Sequence, residues 1–262
     1  KPQDGRIQVN IAGETFDIRV NFLPSAKGEA ITLRILKKSG KAHSLDQVEL
    51  PDPVRRQIDR ALESPHGMIV VCGPVGSGKT TMLYAGLMKL AKTGKKIVTV
   101  EDPVEYLLPD VVQTRFAPES GLTMPVLLKT IMRTDPDVVM VSETRDSETL
   151  RFLQLAAFTG HLALTSLHTP EVAGAFQRML DLGSEPFMVS DTIRLVLAQR
   201  LIRRLCPCAR AAAPAADTLA LAQAIYRQHG LDWTALPSAF REPVGCPKCR
   251  GQRRPVQSVL KF

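Results

Sequence analysis

The sequence predicts an α/β protein: a mostly parallel sheet covered by helices, preceded by a small antiparallel β unit and followed by a basic, helical, cysteine-bearing region. Three observations predict it. The first 36 residues alternate apolar and polar side chains with period two; from about residue 51 short apolar runs alternate with helix-like segments; and four of the five cysteines fall in two pairs near the C-terminus.

In "RIQVNI" the residues Ile7, Val9 and Ile11 alternate with polar ones, in "TFDIRVNF" Phe16, Ile18, Val20 and Phe22 do, and in "AITLRIL" Ile31, Leu33 and Ile35 do. Three such runs joined by "AGE" and "PSAKGE" predict a β-meander over 1–40 with one face buried. Arg19 and Arg34 then share its polar face. The polar joint "KKSGKAHS" (37–44) separates this unit from the α/β region. In order come "PVRRQIDRALES", "GMIVVC", "KTTMLYAGLMKL", "KIVTVE", "VVQTRF", "PVLLKTIMR", "DVVMVS", "ETLRFLQLAAF", "LALTSL" and "EVAGAFQRML". Strands alternating with helices over 41–198 imply parallel pairing with both sheet faces covered. The region 199–262 carries the cysteine pairs, and "ARAAAPAADTLALAQA" reads as a loop entering a surface helix. Because "KPQDGRIQV" opens almost directly into a strand, the chain reads as a piece whose upstream part is missing.

The chemistry starts at "VVCGPVGSGKTTM" (70–82). Gly73, Pro74, Val75, Gly76, Ser77, Gly78, Lys79 and Thr80 spell G-x-x-x-x-G-K-T between an apolar run of strand length and a helix-forming stretch. Glycines there let backbone N–H groups converge on phosphate oxygens at a helix N-terminus. Lys79 is expected on the β/γ-phosphates of ATP, Thr80 on Mg²⁺ and Thr81 on the α-phosphate.

Phosphoryl chemistry also needs acids at neighbouring strand ends. "DVVMVSE" delivers Glu143 and "KIVTVEDPVEY" delivers Glu101 and Asp102. "TGHLALTSLHT" places His161 and His168 on either side of another apolar run, as candidate sensors of the terminal phosphate. Cys206 and Cys208 ("LCPCA") with Cys246 and Cys249 ("GCPKC") suit a four-thiolate zinc site, reduced free thiols being the alternative; Cys72 reads as a small core residue. With 34 Lys+Arg against 26 Asp+Glu the formal charge is +8, but the basic residues are dispersed, as on a solvated basic surface. No run reaches the ~20 apolar residues of a membrane-spanning helix, and no signal peptide is visible, so a cytosolic location is expected.

These motifs, in this order, resemble the secretion ATPase superfamily that powers type II secretion and type IV pilus assembly, over essentially the whole chain. "GPVGSGKTT" is similar to its nucleotide loop, "VEDPVEY" to its aspartate box, "LLKTIMRTDPDVVMVSETRD" to the segment leading through its Walker B motif, and "TGHLALTSLHT" to its histidine box. "DIRVNFLP…GEAITLRIL" is similar to its second N-terminal domain, and "LAQRLIRRLCP" with "GCPKC" to the metal-binding region of the assembly branch. The resemblance implies a RecA-like P-loop core after a PAS-like domain portion, with Glu143 as catalytic glutamate and Glu101, Asp102 and Glu105 near metal and water. It further implies His161, His168 and Arg133 at the nucleotide, Arg19 and Arg34 as fingers across an interdomain cleft, and zinc on the cysteines. It implies an ATP-hydrolysing homo-hexamer at the cytoplasmic face of the bacterial inner membrane, associated with platform and adaptor proteins and not with nucleic acid. A nucleic-acid translocating motor and a nucleotide-binding module with little turnover are the alternatives. Four features depart from the family pattern: Lys129 where arginine is usual, Ser142 where glycine is usual, the shortened C-x-C pair, and the ending "GQRRPVQS".

Overall fold

The computed structural model describes residues 3–37, 44–48, 50–228, 241–242, 244–247 and 257–261. They form two compact units, 1–199 and 200–261.

The first unit opens with the meander, strands β1 (Gln3–Ile11), β2 (Glu14–Ser25) and β3 (Gly28–Lys37), antiparallel in the order β1-β2-β3. Its register sets Arg6 opposite Arg19 and Arg19 opposite Arg34, so three arginines form one row on one face. The expectation that the apolar face is buried holds only on the middle strand, where Val20 is buried and Phe16, Ile18 and Phe22 are half-buried. Ile7, Ile31, Leu33 and Ile35 are all at least half exposed, whereas the arginine row lines a cleft beside the α/β core. The reason is geometric: the three strands pair only with one another, and the core can cover just one face of such a sheet.

The core then runs α1 (Asp52–Glu63), β4 (Gly67–Cys72), α2 (Lys79–Ala91), β5 (Ile97–Glu101), β6 (Val111–Arg115), α3 (Met124–Ile131), β7 (Val138–Val141), α4 (Ser147–Phe158), β8 (Leu162–Leu167), α5 (Val172–Asp181), α6 (Pro186–Thr192) and β9 (Ile193–Ala198). Its six strands are all parallel, in the order β6-β5-β7-β8-β4-β9. Every residue of β4, β5, β7 and β8 is buried, as expected of strands covered on both faces, and this is why they read as largely apolar runs without polar alternation. Met68, Val70, Val98, Val139, Leu153 and Leu167 belong to the continuous core that results. The α6–β9 pair is an addition to the elements read from sequence. Parallel pairing sends the carboxyl ends of β4, β5, β7 and β8 to a single edge, where ligands bind in open α/β sheets.

In the second unit β10 (Arg200–Arg204) pairs antiparallel with β13 (Gln257–Lys261), and β11 (Arg210–Ala211) with β12 (Arg241–Glu242). The helix α7 (Ala216–Gln228) buries none of its residues, in keeping with a surface helix. No helix among the described residues is long and apolar enough to cross a membrane.

Candidate nucleotide site

The turn from β4 to α2 requires its glycines for two different reasons. Gly76 and Gly78 have φ of 75° and 87°, left-handed values that side chains disfavour. At Gly73 the constraint is space, since a Cβ would lie 2.4 Å from the Gln199 carbonyl oxygen. Gln199, just past β9, braces the loop: its N–H donates to the Cys72 carbonyl at 2.8 Å and its Nε2 to the Ser77 carbonyl at 2.6 Å. Sequence reasoning missed Gln199 because its place beside the loop depends on β9 pairing with β4.

The Lys79 ammonium donates to the Gly73 and Pro74 carbonyls at 2.9 and 3.1 Å and lies 3.2 Å from Nδ1 of His168. Burial lowers its pKa, partly offset by the charge of Glu143. The Ser77 hydroxyl is buried with no partner among the described residues. An orphaned hydroxyl, a lysine facing the loop, a helix N-terminus with unsatisfied N–H groups and the half-buried Thr80 in its first turn together suit a Mg²⁺-bound polyphosphate.

Glu143 is delivered by the turn between β7 and α4. That turn is pinned by Thr144 N–H to the Ser166 carbonyl (3.0 Å), the Ser166 hydroxyl to the Ser142 carbonyl (2.7 Å), and the Asp146 carboxylate capping α4 at the Thr149 N–H (2.8 Å). The Glu143 carboxylate meets His168 Nε2 at 3.1 Å and Arg145 Nη2 at 2.9 Å. Because the lysine offers only protons, His168 Nδ1 accepts, and its proton sits on Nε2 facing Glu143. A continuous chain Lys79–His168–Glu143–Arg145 therefore joins the loop to the acid. Burial pushes the Glu143 carboxyl up, but the hydrogen bonds from Arg145 and His168, with the charge of Arg145, outweigh it, holding the group below the usual glutamate range. The same contact, chiefly its hydrogen bond, raises Arg145. Arg145, which also lies 3.8 Å from the Asp102 carboxylate, was not assigned from sequence.

On the other side lies a cleft of about 750 Å³ whose lining includes Arg6, Arg19, Arg34, Asp102, Pro103 and Phe116. Nη2 of Arg19 is buried without a partner among the described residues. Burial lowers the Arg19 pKa, with Arg6 and Arg34 adding to the effect and Glu105 and Asp102 opposing it. Like charges opposite one another across strands destabilise a sheet. Arg6 is relieved by Asp17 at 2.7 Å, and the cleft is lined also by the cations Arg19, Arg34 and Arg115.

Residues 1–261 match the Type II/IV secretion system protein family. The chain belongs to that family. It is 44% identical over 248 residues to type II secretion system protein E of Dickeya dadantii, covering 95% of this chain and 48% of the relative. It is 41% identical over 254 residues to type II secretion system ATPase E of Vibrio cholerae, with the same shares covered. The chain thus spans about half the length of these relatives. Among solved structures, the pilus retraction motor PilT with bound ADP is similar with a TM-score of 0.65 at 25% identity, over 87% of this chain and 68% of that one. The Legionella pneumophila ATPase DotB gives 0.64 at 26% identity, over 78% of this chain and 59% of that one.

Several residues expected at the nucleotide of this secretion-family chain stand elsewhere. His161 precedes β8 while His168 comes after it, so the strand separates them by ~20 Å; His161 sits beside the amino end of β4, its Nδ1 near the Ala156 carbonyl at 3.1 Å. Arg133 and Lys129 are exposed, and the Thr134 carbonyl next to Arg133 bonds Lys96, at the amino end of β5. Glu101 is 1% exposed and faces inward, accepting from Thr99 at 2.6 Å, from Gln113 at 3.0 Å and from the Tyr84 hydroxyl. Ser142 adds a hydrogen bond where glycine is usual, accepting from the Asp102 N–H at 3.4 Å.

In the second unit, one sulfur from each of Cys206, Cys208 and Cys246 lies within 4.8 Å of the others. The turn that returns the Ala209 N–H to the Cys206 carbonyl (2.8 Å) brings both thiols of the short pair to one side. Sγ of Cys206 and Cys246 are 3.7 Å apart, close to the ~3.8 Å edge of a tetrahedron with ~2.3 Å zinc–sulfur bonds. Cys249 lies outside the described residues.

Proposed function

We propose that this chain is the catalytic part of an ATP-hydrolysing motor of type II secretion or type IV pilus assembly. The observation that carries the reading is the contact chain from Lys79 through His168 to Glu143, which ties the phosphate loop to a strand-end carboxylate held in its charged form. Support comes from relatives named as type II secretion proteins, one of them as an ATPase, and from likeness to an ADP-bound motor.

Backbone N–H groups of Gly76 to Thr81 cradle the phosphates, and the Lys79 ammonium exchanges its loop carbonyls for β/γ-oxygens. Thr80 holds Mg²⁺, which when bound neutralises charge on the transferring phosphoryl group. As Lys79 moves, His168 loses its partner at Nδ1 but keeps Glu143 oriented through Nε2. Glu143, steadied also by Arg145, takes the proton of the attacking water. Arg19 and Arg34 approach from the meander side with Asp102 and Glu105 opposite them, so the charge-stabilising shell closes when the cleft closes. Chemistry is thereby linked to movement of residues 1–40 against 41–198. Residues 199–262 carry a structural zinc on Cys206, Cys208, Cys246 and Cys249. The working particle is a homo-hexamer at the cytoplasmic face of the inner membrane, held there by platform and adaptor proteins.

The test is Mg²⁺-dependent ATP turnover by the purified chain and by Lys79→Ala. Turnover lost in the variant supports the reading; hydrolysis that survives it near the unsubstituted rate overturns it.

A further inference from the structure

After Asp102 comes a loop, 103–110, that β5 and β6 enclose and that carries Glu105. Its backbone is held by side chains rather than by a ladder. Tyr84, fully buried on α2, accepts the Glu105 N–H at 3.2 Å while donating to the Glu101 carboxylate. Gln113 on β6 uses both ends of its amide: Oε1 accepts the Leu108 N–H at 2.6 Å, and Nε2 donates to the Tyr106 carbonyl at 3.2 Å and to Glu101 at 3.0 Å. The Tyr106 ring stands edge-on to Tyr84, centroids 4.7 Å apart. Glu101 is the shared acceptor, with Thr99 as a further donor. Tyr84 lies one helical turn after Thr80, on the same side of the helix that opens at the phosphate loop.

We propose that Tyr84 and Gln113, closing on the buried Glu101 carboxylate, are positioning residues that clamp the 103–110 loop to the phosphate-loop helix and so hold Asp102 and Glu105 opposite Arg19. Glu101 is then the hub of the clamp and not a ligand of metal or water. Each donor removed leaves a buried partner unsatisfied, and without the Tyr84 hydroxyl the loop loses its one hydrogen bond to α2 among the described residues, keeping only the ring contact. Burial and the neighbouring Glu101 carboxylate both push the Tyr84 phenol upward, so it stays protonated and able to donate at any working pH. The effect on hydrolysis rests on the ATPase reading; the clamp itself does not.

The test compares the unsubstituted chain with Tyr84→Phe, Gln113→Met, Glu101→Gln, Arg19→Ala and the double variant Tyr84→Phe/Arg19→Ala. Amide hydrogen exchange in 103–110 is expected to quicken ~10-fold or more in Tyr84→Phe and Gln113→Met, with exchange in β4 and α4 unchanged. Turnover in Tyr84→Phe should fall ~10-fold at nearly constant nucleotide affinity, and should add nothing to the loss already caused by Arg19→Ala. Glu101→Gln, whose one oxygen still accepts from Thr99 and Gln113 while its amide N–H₂ can donate to the Tyr84 hydroxyl, should retain most turnover. Unchanged exchange in 103–110, or additive losses in the double variant, would overturn the clamp. So would collapse of turnover in Glu101→Gln with the loop still protected, since that marks a catalytic carboxylate. If the unsubstituted chain and Lys79→Ala hydrolyse ATP alike, the ATPase reading is what fails, and the exchange result still decides the clamp.

Discussion

Replacing Glu143 by glutamine separates the chemistry of this site from its architecture. The carboxylate accepts from two donors, Arg145 at 2.9 Å and His168 at 3.1 Å. A glutamine offers one oxygen, so its amide N–H₂ must face one of those donors. His168 cannot relieve the clash by moving its proton, because Nδ1 would then point a hydrogen at Lys79, 3.2 Å away. One unsatisfied contact costs ~1–3 kcal/mol when buried. Here the Arg145 side chain is 65% exposed and that of Glu143 22%, and solvent screening brings the cost below ~1 kcal/mol. Folding and ATP binding are therefore expected to survive. Hydrolysis is expected to fall by ~10²–10⁴, the range for losing a positioned base. The assay is steady-state turnover beside equilibrium nucleotide affinity, repeated across acidic to neutral pH. Because the Glu143 carboxyl is held below its ordinary range, wild-type turnover should persist to more acidic pH than a free glutamate would allow, while residual turnover in the variant should not track that titration. Turnover within a few-fold of wild type, or loss of ATP binding instead of hydrolysis, would refute the assignment.

Three further outcomes rest on the same geometry. Gly73→Ala should destabilise the chain by ~1–3 kcal/mol, because its Cβ would sit 2.4 Å from the Gln199 carbonyl oxygen; a thermal melt at the wild-type midpoint would show that the loop can yield. The stability contributed by Glu143 should be complete above the ordinary glutamate range and disappear as the pH falls through and below it, since the unfolded chain binds that proton more tightly; an acid titration of unfolding in wild type and Glu143→Gln that superimposes would contradict this. Elemental analysis should find ~1 zinc per chain, lost in Cys246→Ser with destabilisation confined to 200–261; metal-free wild type of equal stability would make the cysteines ordinary thiols.

Legible in the sequence was whatever contiguous residues decide. The phosphate loop is eight consecutive positions between a strand and a helix, and the meander is plain period two, so both needed only local pattern. The buried parallel strands read correctly because burial on both faces leaves largely apolar runs. The contacts that escaped depend on how turns and strands are set by the rest of the fold. Arg145 reaches Glu143 through a turn set by hydrogen bonds to β8, Gln199 reaches the loop through the order of strands, and Gln113 reaches Glu101 across two of them. Glu101 and Asp102 are adjacent, yet one is buried and the other lines the cleft, because β5 ends at Glu101 and the chain leaves the covered sheet at Asp102. The separation of His161 from His168 was available in principle, since residues flanking a strand of six must lie at opposite edges of its sheet.

The central claim is that hydrolysis at the loop is completed from the meander side of the cleft, and Arg19→Ala tests it most directly. Arg19 is not among the groups assigned to ground-state binding, so nucleotide affinity should stay within a few-fold of wild type. Turnover should fall by as much as ~10³–10⁵, the range typical of arginine fingers. Measuring both quantities on the same protein decides the matter. Unimpaired turnover would leave the arginine row a solvated surface and the loop, Glu143 and Mg²⁺ sufficient by themselves.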